Sequence, residues 1–275
     1  MSVVRQDDAL LEACVVEAEE ALAAGDIVFE PAAEALVAEF VPGTDAVAGL
    51  KFVSLRDQVG PWDANQGAAK KTLPPTAHYR GPTGSVSKGR SPVAELVGSA
   101  NYHMRMDWGD GARANGLQYH SAVWGDTVYL CRNPLAILWH AANPAYNAGS
   151  HGCQFPIGGT EISTTQTRQT AKAWFDEINR TWGTRGAKGH LEVSQLGTEC
   201  PGRTHGDFVI PYRAGETFGA TPAPAKPAPA PAKTLYRVFA GGEQQGAYAV
   251  RSNATDRADA LIDRYGEVRI AKGPA

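Results

Sequence analysis

The chain has 275 residues and a net charge of -3, with 43% hydrophobic and 20% charged residues. This balance predicts a folded globular protein, argues against wholesale disorder, and offers no basic excess of the kind that nucleic-acid binding requires. No apolar run is long enough for stable membrane insertion, and the N-terminus has neither the basic region nor the apolar core of a signal peptide. We expect synthesis in a cytoplasm, and we expect a monomer.

Residues 1–70 carry apolar side chains at helical spacing in two stretches, DDALLEACVVEAEEALAAG and PAAEALVAEFV. Pro31 suits the first position of a helix. These patterns predict a helical N-terminal region whose helices pack on the domain that follows. The region contains no histidine, and no function is assigned to it.

Residues 71–215 combine short strand-like runs (NGLQYHSAVW, TVYLC and HGCQFPIGG) with one amphipathic helix, STTQTRQTAKAWFDEINRTW. Thr164 or Thr165 suits the N-cap of this helix. The apolar side chains on one of its faces are Ala171, Trp174, Phe175, Ile178 and Trp182. The mixture of short strands and a long helix predicts an α/β domain.

Alternating Pro and Ala residues in ATPAPAKPAPAPAK, residues 220–233, predict an extended spacer that cannot pack a core. We therefore place a linker at 216–233. The pattern of residues 234–275 predicts a strand, a Gly-rich turn, a second strand, a helix from about Asn253 and a last strand around Val268. A small α+β C-terminal module is expected after the linker.

The four cysteines are far apart and form no Cys-x-x-Cys pair, which argues against a disulfide framework and a zinc ribbon. Free cysteine is among the most buried residue types, so packing is the expected role of Cys14, Cys131 and Cys153. Cys200 differs, because it ends the stretch GHLEVSQLGTECPG, in which His190 precedes it.

All seven histidines lie between residues 78 and 205. Imidazole nitrogen and thiolate sulfur are the ligands that Zn²⁺ prefers, and a catalytic zinc takes three protein ligands while one position stays open for water. The clustering therefore suggests a metal site to which His190 and Cys200 contribute.

Several stretches occur in one order along the chain: AHYRGP, then NYHM and GLQYHSAVW, then ILWHAAN with YNAGSHGCQFPIGG, and last GHLEVSQLGTECPG. In this order they resemble the motifs of the zinc-dependent N-acetylmuramoyl-L-alanine amidases (amidase type 2), a family related to peptidoglycan recognition proteins and phage lysozyme-amidases. The resemblance covers residues 72–212, roughly half of the chain. The last stretch is the most specific, because it looks like that family's Gly-His-x-Asp/Glu-Val-Ser segment closing on Cys-Pro.

The resemblance implies a central mixed β-sheet flanked by helices and a zinc ion held by His78, His190 and Cys200. The segment between the last two ligands is two residues longer than is usual in the family. His103 competes with His78 for the remaining ligand position. We favour His78, because a helix-like segment carries His103 whereas zinc ligands should converge from strand ends and loops.

The resemblance also implies a catalytic tyrosine at Tyr119, whose hydroxyl could donate to a developing oxyanion. A half-buried strand aromatic is the alternative for this residue. Thr198 stands near the place of the family's Lys or Thr before the cysteine and is a candidate second catalytic group. His140 and Asn147 are expected on the substrate side, although His140 could instead satisfy a strand-end hydrogen bond.

The implied function is a peptidoglycan hydrolase that cleaves the amide between N-acetylmuramic acid and L-alanine with a zinc-activated water. An endolysin made in the host cytoplasm and acting at the cell wall after release fits this function. The C-terminal module would bind the wall, or would be a dispensable tail or an oligomerisation piece. Two alternative functions are a non-catalytic peptidoglycan-binding module of the same fold and a zinc peptidase that cuts within the stem peptide.

Overall fold

The computed structural model describes residues 8–27, 30–31, 37, 39–40, 50–62, 71–81, 86–219, 234–240, 243–248, 261 and 268–274. The chain divides into two compact units, Met1–Gly219 and Ala220–Ala275. Residues 220–233, which make up most of the predicted linker, lie outside the described residues.

A seven-stranded mixed sheet forms the centre of the first unit. Its strands are β1 (Glu30–Pro31), β2 (Lys51–Ser54), β3 (Thr76–Gly81), β4 (Ser121–Trp124), β5 (Thr127–Leu130), β6 (Gly152–Gly158) and β7 (Lys188–Gly189). They lie in the order β1-β2-β5-β4-β6-β3-β7. The strands β4, β6, β3 and β7 are parallel to one another. Strand β5 pairs antiparallel with β4, and β2 is parallel to β5. This arrangement confirms the predicted α/β class with a central mixed β-sheet.

Helices of different lengths precede, connect and follow these strands. They are α1 (Asp8–Ala24), α2 (Pro92–Arg105), α3 (Pro144–Gly149), α4 (Thr165–Trp182), α5 (His190–Val193) and α6 (Ile210–Arg213). A 3₁₀ turn at Val86–Lys88 precedes α2, and a π-helical turn at His205–Val209 precedes α6.

Apolar side chains on both faces of the sheet are covered by helices, because successive strand residues point to opposite faces. On one face Val123 packs in a core with Trp174 of α4. On the other face Ala122 and Tyr129 pack with α2, through residues such as Leu96. The helices therefore flank the sheet as predicted.

Helix α4 is the element that the sequence pattern defines most clearly. The Thr164 hydroxyl accepts the N–H of Thr167 at the N-cap, and Gly183 ends the helix with a φ of 67° that favours glycine. The predicted apolar face is buried, apart from the partly buried Trp182. The predicted helix and its N-cap are confirmed.

The N-terminal region contains the predicted helix α1, which packs closely on α2. A Cβ atom added at Gly98 would lie 2.5 Å from Cγ2 of Val15, so only glycine permits this approach. The second predicted helix lies largely outside the described residues. Strands β1 and β2 also come from residues 1–70, and β2 pairs with β5 of the central sheet. The N-terminal region is thus partly strand and joins the main sheet.

The second unit contains a three-stranded antiparallel sheet in the order β10-β8-β9, formed by β8 (Thr234–Ala240), β9 (Glu243–Tyr248) and β10 (Val268–Pro274). Val238, Ala240 and Leu261 form its buried cluster. The predicted strands are present, whereas the helix predicted from Asn253 lies outside the described residues apart from Leu261. In the part of both units that the structure describes, no helix has the length and apolar character of a membrane span.

Candidate metal centre

Strand β3 carries His78 into the interior of the first unit. Pro74 and Pro75 lie just before this strand, which suits residues that cannot donate to a ladder. Because β3 lies between β6 and β7, His78 is 0% exposed. Thr76 lies two residues earlier and therefore on the same face of the sheet.

His190 is presented by the turn that joins β7 to α5. The Glu192 carboxylate accepts the backbone N–H of Gly189 at 2.7 Å and contacts Nη1 of Arg213 at 2.6 Å. These bonds stabilise the start of the short helix, because they satisfy a backbone donor that no helical carbonyl can reach. The turn places His190 beside His78, with ring centroids 4.8 Å apart.

The loop that follows α5 ends at Cys200, which lies beside His78 and His190. The backbone N–H of Leu191 donates to the carbonyl of Cys200 at 2.6 Å, and the Thr198 hydroxyl accepts the N–H of Cys200 at 3.2 Å. The N–H of Tyr79 in β3 donates to the Cys200 sulfur at 3.3 Å. Backbone donors of this kind favour a thiolate at Cys200.

The ligand atoms of His78, His190 and Cys200 lie within 4.8 Å of one another. Nδ1 of His78 is 3.8 Å from Sγ of Cys200. Zinc bonds of ordinary length at a tetrahedral angle would separate such a nitrogen and sulfur by about 3.6 Å, so the observed distance fits a shared ion. The structure thus brings together the three predicted ligands.

One buried atom supports this interpretation independently. Among the described residues, none forms a hydrogen bond with the buried Nε2 atom of His190. Buried polar atoms are nearly always satisfied, so an unpaired imidazole nitrogen beside a second imidazole and a thiol needs an explanation. The two nitrogens and one sulfur fit Zn²⁺, which prefers these donors.

Burial controls the charge of the three side chains. It holds the pKa of His78 well below its usual range and lowers the pKa of His190 to about 4, so both imidazoles are neutral near pH 7. Burial also raises the pKa of the Cys200 thiol to about 12, against the lowering effect of the Tyr79 N–H. A bound divalent cation would favour the thiolate, because opposite charge at short range favours the ionised form.

Tyr119 lies against this group, with its ring centroid 4.6 Å from that of His78. Burial, and next the neighbouring Cys200, raise the pKa of Tyr119 well above its ordinary value, so the hydroxyl remains a proton donor. His120, the next residue, instead stacks on His151; its Nδ1 accepts the N–H of Gly152, and its Nε2 donates to the carbonyl of Ala136. The two neighbours thus have separate surroundings.

His103 does not join the metal group. It lies in α2, where its Nδ1 accepts the N–H of Gln118 at 3.2 Å and its ring packs on Tyr119. The choice of His78 over His103 as the third candidate ligand therefore agrees with the geometry.

The structure surrounds His140 with protein groups on both ring nitrogens. Its Nδ1 lies 3.1 Å from the carbonyl of Leu138, its Nε2 lies 2.9 Å from the Ser150 hydroxyl, and the side chain is 2% exposed. Oδ1 of Asn147 accepts the N–H of Ala141 at 2.7 Å. These contacts favour the alternative considered for His140, a structural hydrogen bond, and give Asn147 a role in holding the adjacent loop.

Two buried polar residues were not singled out from the sequence. One is Thr76, whose hydroxyl lies 3.0 Å from Nε2 of His78. The other is Lys71, which is 1% exposed and donates to the carbonyl of Ala136 at 3.0 Å. A threonine two residues before a strand histidine was an available signal for the first. A lysine in KKTL gives no sign of burial.

Burial lowers the pKa of Lys71 to about 7. Its charge also lowers the pKa of His120, His140 and His151, after the larger effect of burial on each. These four bases share one part of the core. A protonated Lys71 is therefore costly to keep in the folded protein.

We expect Lys71→Met to raise the free energy of unfolding by about 2 kcal/mol near pH 7. Because the folded-state pKa lies below the ordinary value of 10.5, the unfolded chain binds this proton more tightly between about pH 7 and pH 10.5. Wild-type stability should therefore rise with pH in this window, by at most about 1.4 kcal/mol per pH unit. Urea unfolding at pH 7.5 and 9.5 measures the rise, which should be absent in the variant.

Lys88→Met is the matched control, because the Lys88 side chain is 66% exposed. It should change stability by no more than about 0.5 kcal/mol at either pH. Equal pH dependence in wild type and Lys71→Met would contradict the assignment of a buried base at this position.

No family model matches the sequence, and no curated protein matches it. Solved structures do match. N-acetylmuramoyl-L-alanine amidase LysC from Clostridium intestinale URNW is 20% identical over 60% of this chain and 96% of that chain, with a TM-score of 0.42. Drosophila PGRP-LB is 22% identical over 61% of this chain and 95% of that chain, with a TM-score of 0.42.

A further match is a complex of tracheal cytotoxin with the peptidoglycan recognition proteins LCa and LCx, at 21% identity over 58% of this chain and 92% of the matched chain, with a TM-score of 0.41. The matched structures include an amidase and peptidoglycan recognition proteins. The assignment of chemistry to this chain depends on its own residues.

Proposed function

We propose that the protein is a zinc-dependent peptidoglycan hydrolase that cleaves the amide between N-acetylmuramic acid and L-alanine. The observation that carries this proposal is the convergence of His78, His190 and Cys200, with ligand atoms within 4.8 Å and a buried imidazole nitrogen left unpaired among the described residues. A catalytic zinc takes three protein ligands of this kind and leaves its fourth coordination position to water.

The three side chains would hold the ion, which when bound lowers the pKa of a water molecule and polarises the scissile carbonyl. Tyr119 would donate a hydrogen bond to the negative charge that develops on the amide oxygen, because its raised pKa keeps the hydroxyl protonated. Thr198 is the candidate for a second donor, since its oxygen already holds the N–H of Cys200 beside the site.

The substrate class follows from the resemblance of the motifs and from the organisation of the chain. A catalytic unit joined by a Pro/Ala-rich linker to a small second unit suits an insoluble polymer, because tethering raises the effective concentration of the enzyme near its substrate. We propose that residues 234–275 bind the cell wall. An endolysin released from the host cytoplasm onto the wall fits both units.

Analysis of a wall digest tests the proposed bond. Purified protein incubated with peptidoglycan should release peptides that carry a free L-alanine amine and should leave the glycan strands intact, as read by mass spectrometry. Peptides cut internally would instead support a zinc peptidase. Zinc-free protein that binds wall without releasing peptides would support the non-catalytic binding module.

A further inference from the structure

Thr76 makes a contact that the proposed mechanism does not use. Its side chain is 0% exposed, and its hydroxyl oxygen lies 3.0 Å from Nε2 of His78 and 3.5 Å from the carbonyl of His151. The backbone N–H of Thr76 donates to the same carbonyl at 2.8 Å. The threonine is therefore held in place by β3 and by the segment that enters β6.

The two nitrogens of His78 thus face different partners. Nδ1 faces the sulfur of Cys200, and Nε2 faces the hydroxyl of Thr76. A neutral imidazole carries one proton, so only one of its nitrogens can offer a lone pair. Coordination through Nδ1 requires the proton on Nε2, where a hydrogen-bond acceptor must be present if the buried N–H is not to be left unsatisfied.

We infer that Thr76 is a positioning residue that selects the metal-binding tautomer of His78. The Nε2–H of His78 donates to the Thr76 hydroxyl, which in turn donates to the carbonyl of His151. The Nδ1 lone pair then points toward Cys200. This inference deepens the proposed metal site and rests on it for its functional meaning.

The competing arrangement would reverse both bonds. The Thr76 hydroxyl would donate to Nε2, and Nδ1–H would point to the Cys200 sulfur at 3.8 Å. That tautomer cannot use Nδ1 as a ligand. Loss of the acceptor at residue 76 should favour it, because a buried Nε2–H would then have no partner while Nδ1–H would still face the sulfur.

Thr76→Val and Thr76→Ser form a matched pair for the test. Valine keeps the shape of threonine and suits a strand, whereas serine keeps the hydroxyl. We expect Thr76→Val to weaken zinc binding by about 10- to 100-fold, measured by competition with a chromophoric chelator, and Thr76→Ser to stay within about threefold of wild type. Thermal unfolding of the zinc-free proteins verifies that both variants are folded.

A second measurement reads the tautomer directly in zinc-free protein. Long-range ¹⁵N–¹H correlation spectra of histidine-labelled protein should show His78 protonated at Nε2 in wild type and Thr76→Ser, and protonated at Nδ1 in a large fraction of Thr76→Val. The His78 signals are identified by their loss in His78→Gln. An unchanged tautomer together with unchanged zinc affinity in Thr76→Val would overturn the inference.

The two proposals fail in different ways. If wild-type protein binds no zinc, the proposed function is wrong, while the tautomer measurement still decides the role of Thr76. If wild type binds zinc and Thr76→Val matches it in both measurements, the positioning role is wrong and the proposed function stands.

Discussion

Cys200→Ser should remove the bound zinc and abolish wall lysis. The wild-type protein should contain about one zinc ion per chain, and the variant less than about a tenth of that, because a neutral hydroxyl replaces the only sulfur ligand of the site. The sulfur faces Nδ1 of His78 and accepts the N–H of Tyr79, so the substitution removes the donor that this loop brings to the two imidazoles. Metal analysis after gel filtration and turbidity loss of a wall suspension measure the two effects.

Cys14→Ser provides the matched control for this substitution. Cys14 is buried like Cys200, but it lies in α1 in a cluster with Leu11, Val15 and Tyr102. A hydroxyl in that apolar cluster should cost about 1–3 kcal/mol of stability and leave zinc content and lysis unchanged below the unfolding temperature. Full zinc content and full lysis in Cys200→Ser would contradict the proposed function.

Tyr119→Phe should lower kcat by about 10²- to 10³-fold while zinc remains bound. The substitution removes only the hydroxyl and leaves the ring that packs on His78 and His103. Because the proposed bond to the oxyanion strengthens only as charge develops, the effect should fall on kcat and kcat/KM alike. Steady-state release of peptide amines from a soluble muropeptide, with zinc content measured in parallel, gives both quantities.

Tyr129→Phe makes the same change elsewhere on the sheet. Tyr129 is buried in the core between α2 and the sheet, and burial raises its pKa to about 12, so it is a comparable protonated phenol. This control should retain wild-type kcat. A Tyr119→Phe protein with wild-type kcat would restrict Tyr119 to packing, the alternative considered from the sequence.

Long segments with a periodic apolar pattern were predicted well from the sequence, whereas short strands were not. Helix α4 repeats its apolar positions over eighteen residues and has a threonine cap, so local preference and burial point to the same structure. Strand β2 has only four residues, too few for a period to be recognised, and its place beside β5 depends on pairing across more than seventy residues.

The sequence predicted the three candidate ligands of the metal site, but it did not predict the residues that surround them. His190 and Cys200 lie near each other in sequence, and His78 was identified by motif order. The contact between His78 and Thr76 could have been sought from their spacing on one strand, whereas the burial of Lys71 depends on how the chain enters β3, which the stretch KKTL does not reveal. The sequence left two roles open for His140, and its contacts with Leu138 and Ser150 favour the structural one.

The buried histidines near the candidate metal site lower the stability of the folded protein in acid. His103, His120, His140 and His151 are nearly inaccessible, and burial depresses the pKa of each below 6.5. Their neutral forms therefore support the native state above about pH 6.5, and unfolding takes up several protons once the medium is more acidic. Because unfolding takes up several protons, the free energy of unfolding of the first unit should fall more steeply with each pH unit below about 6.5 than a single buried histidine would cause.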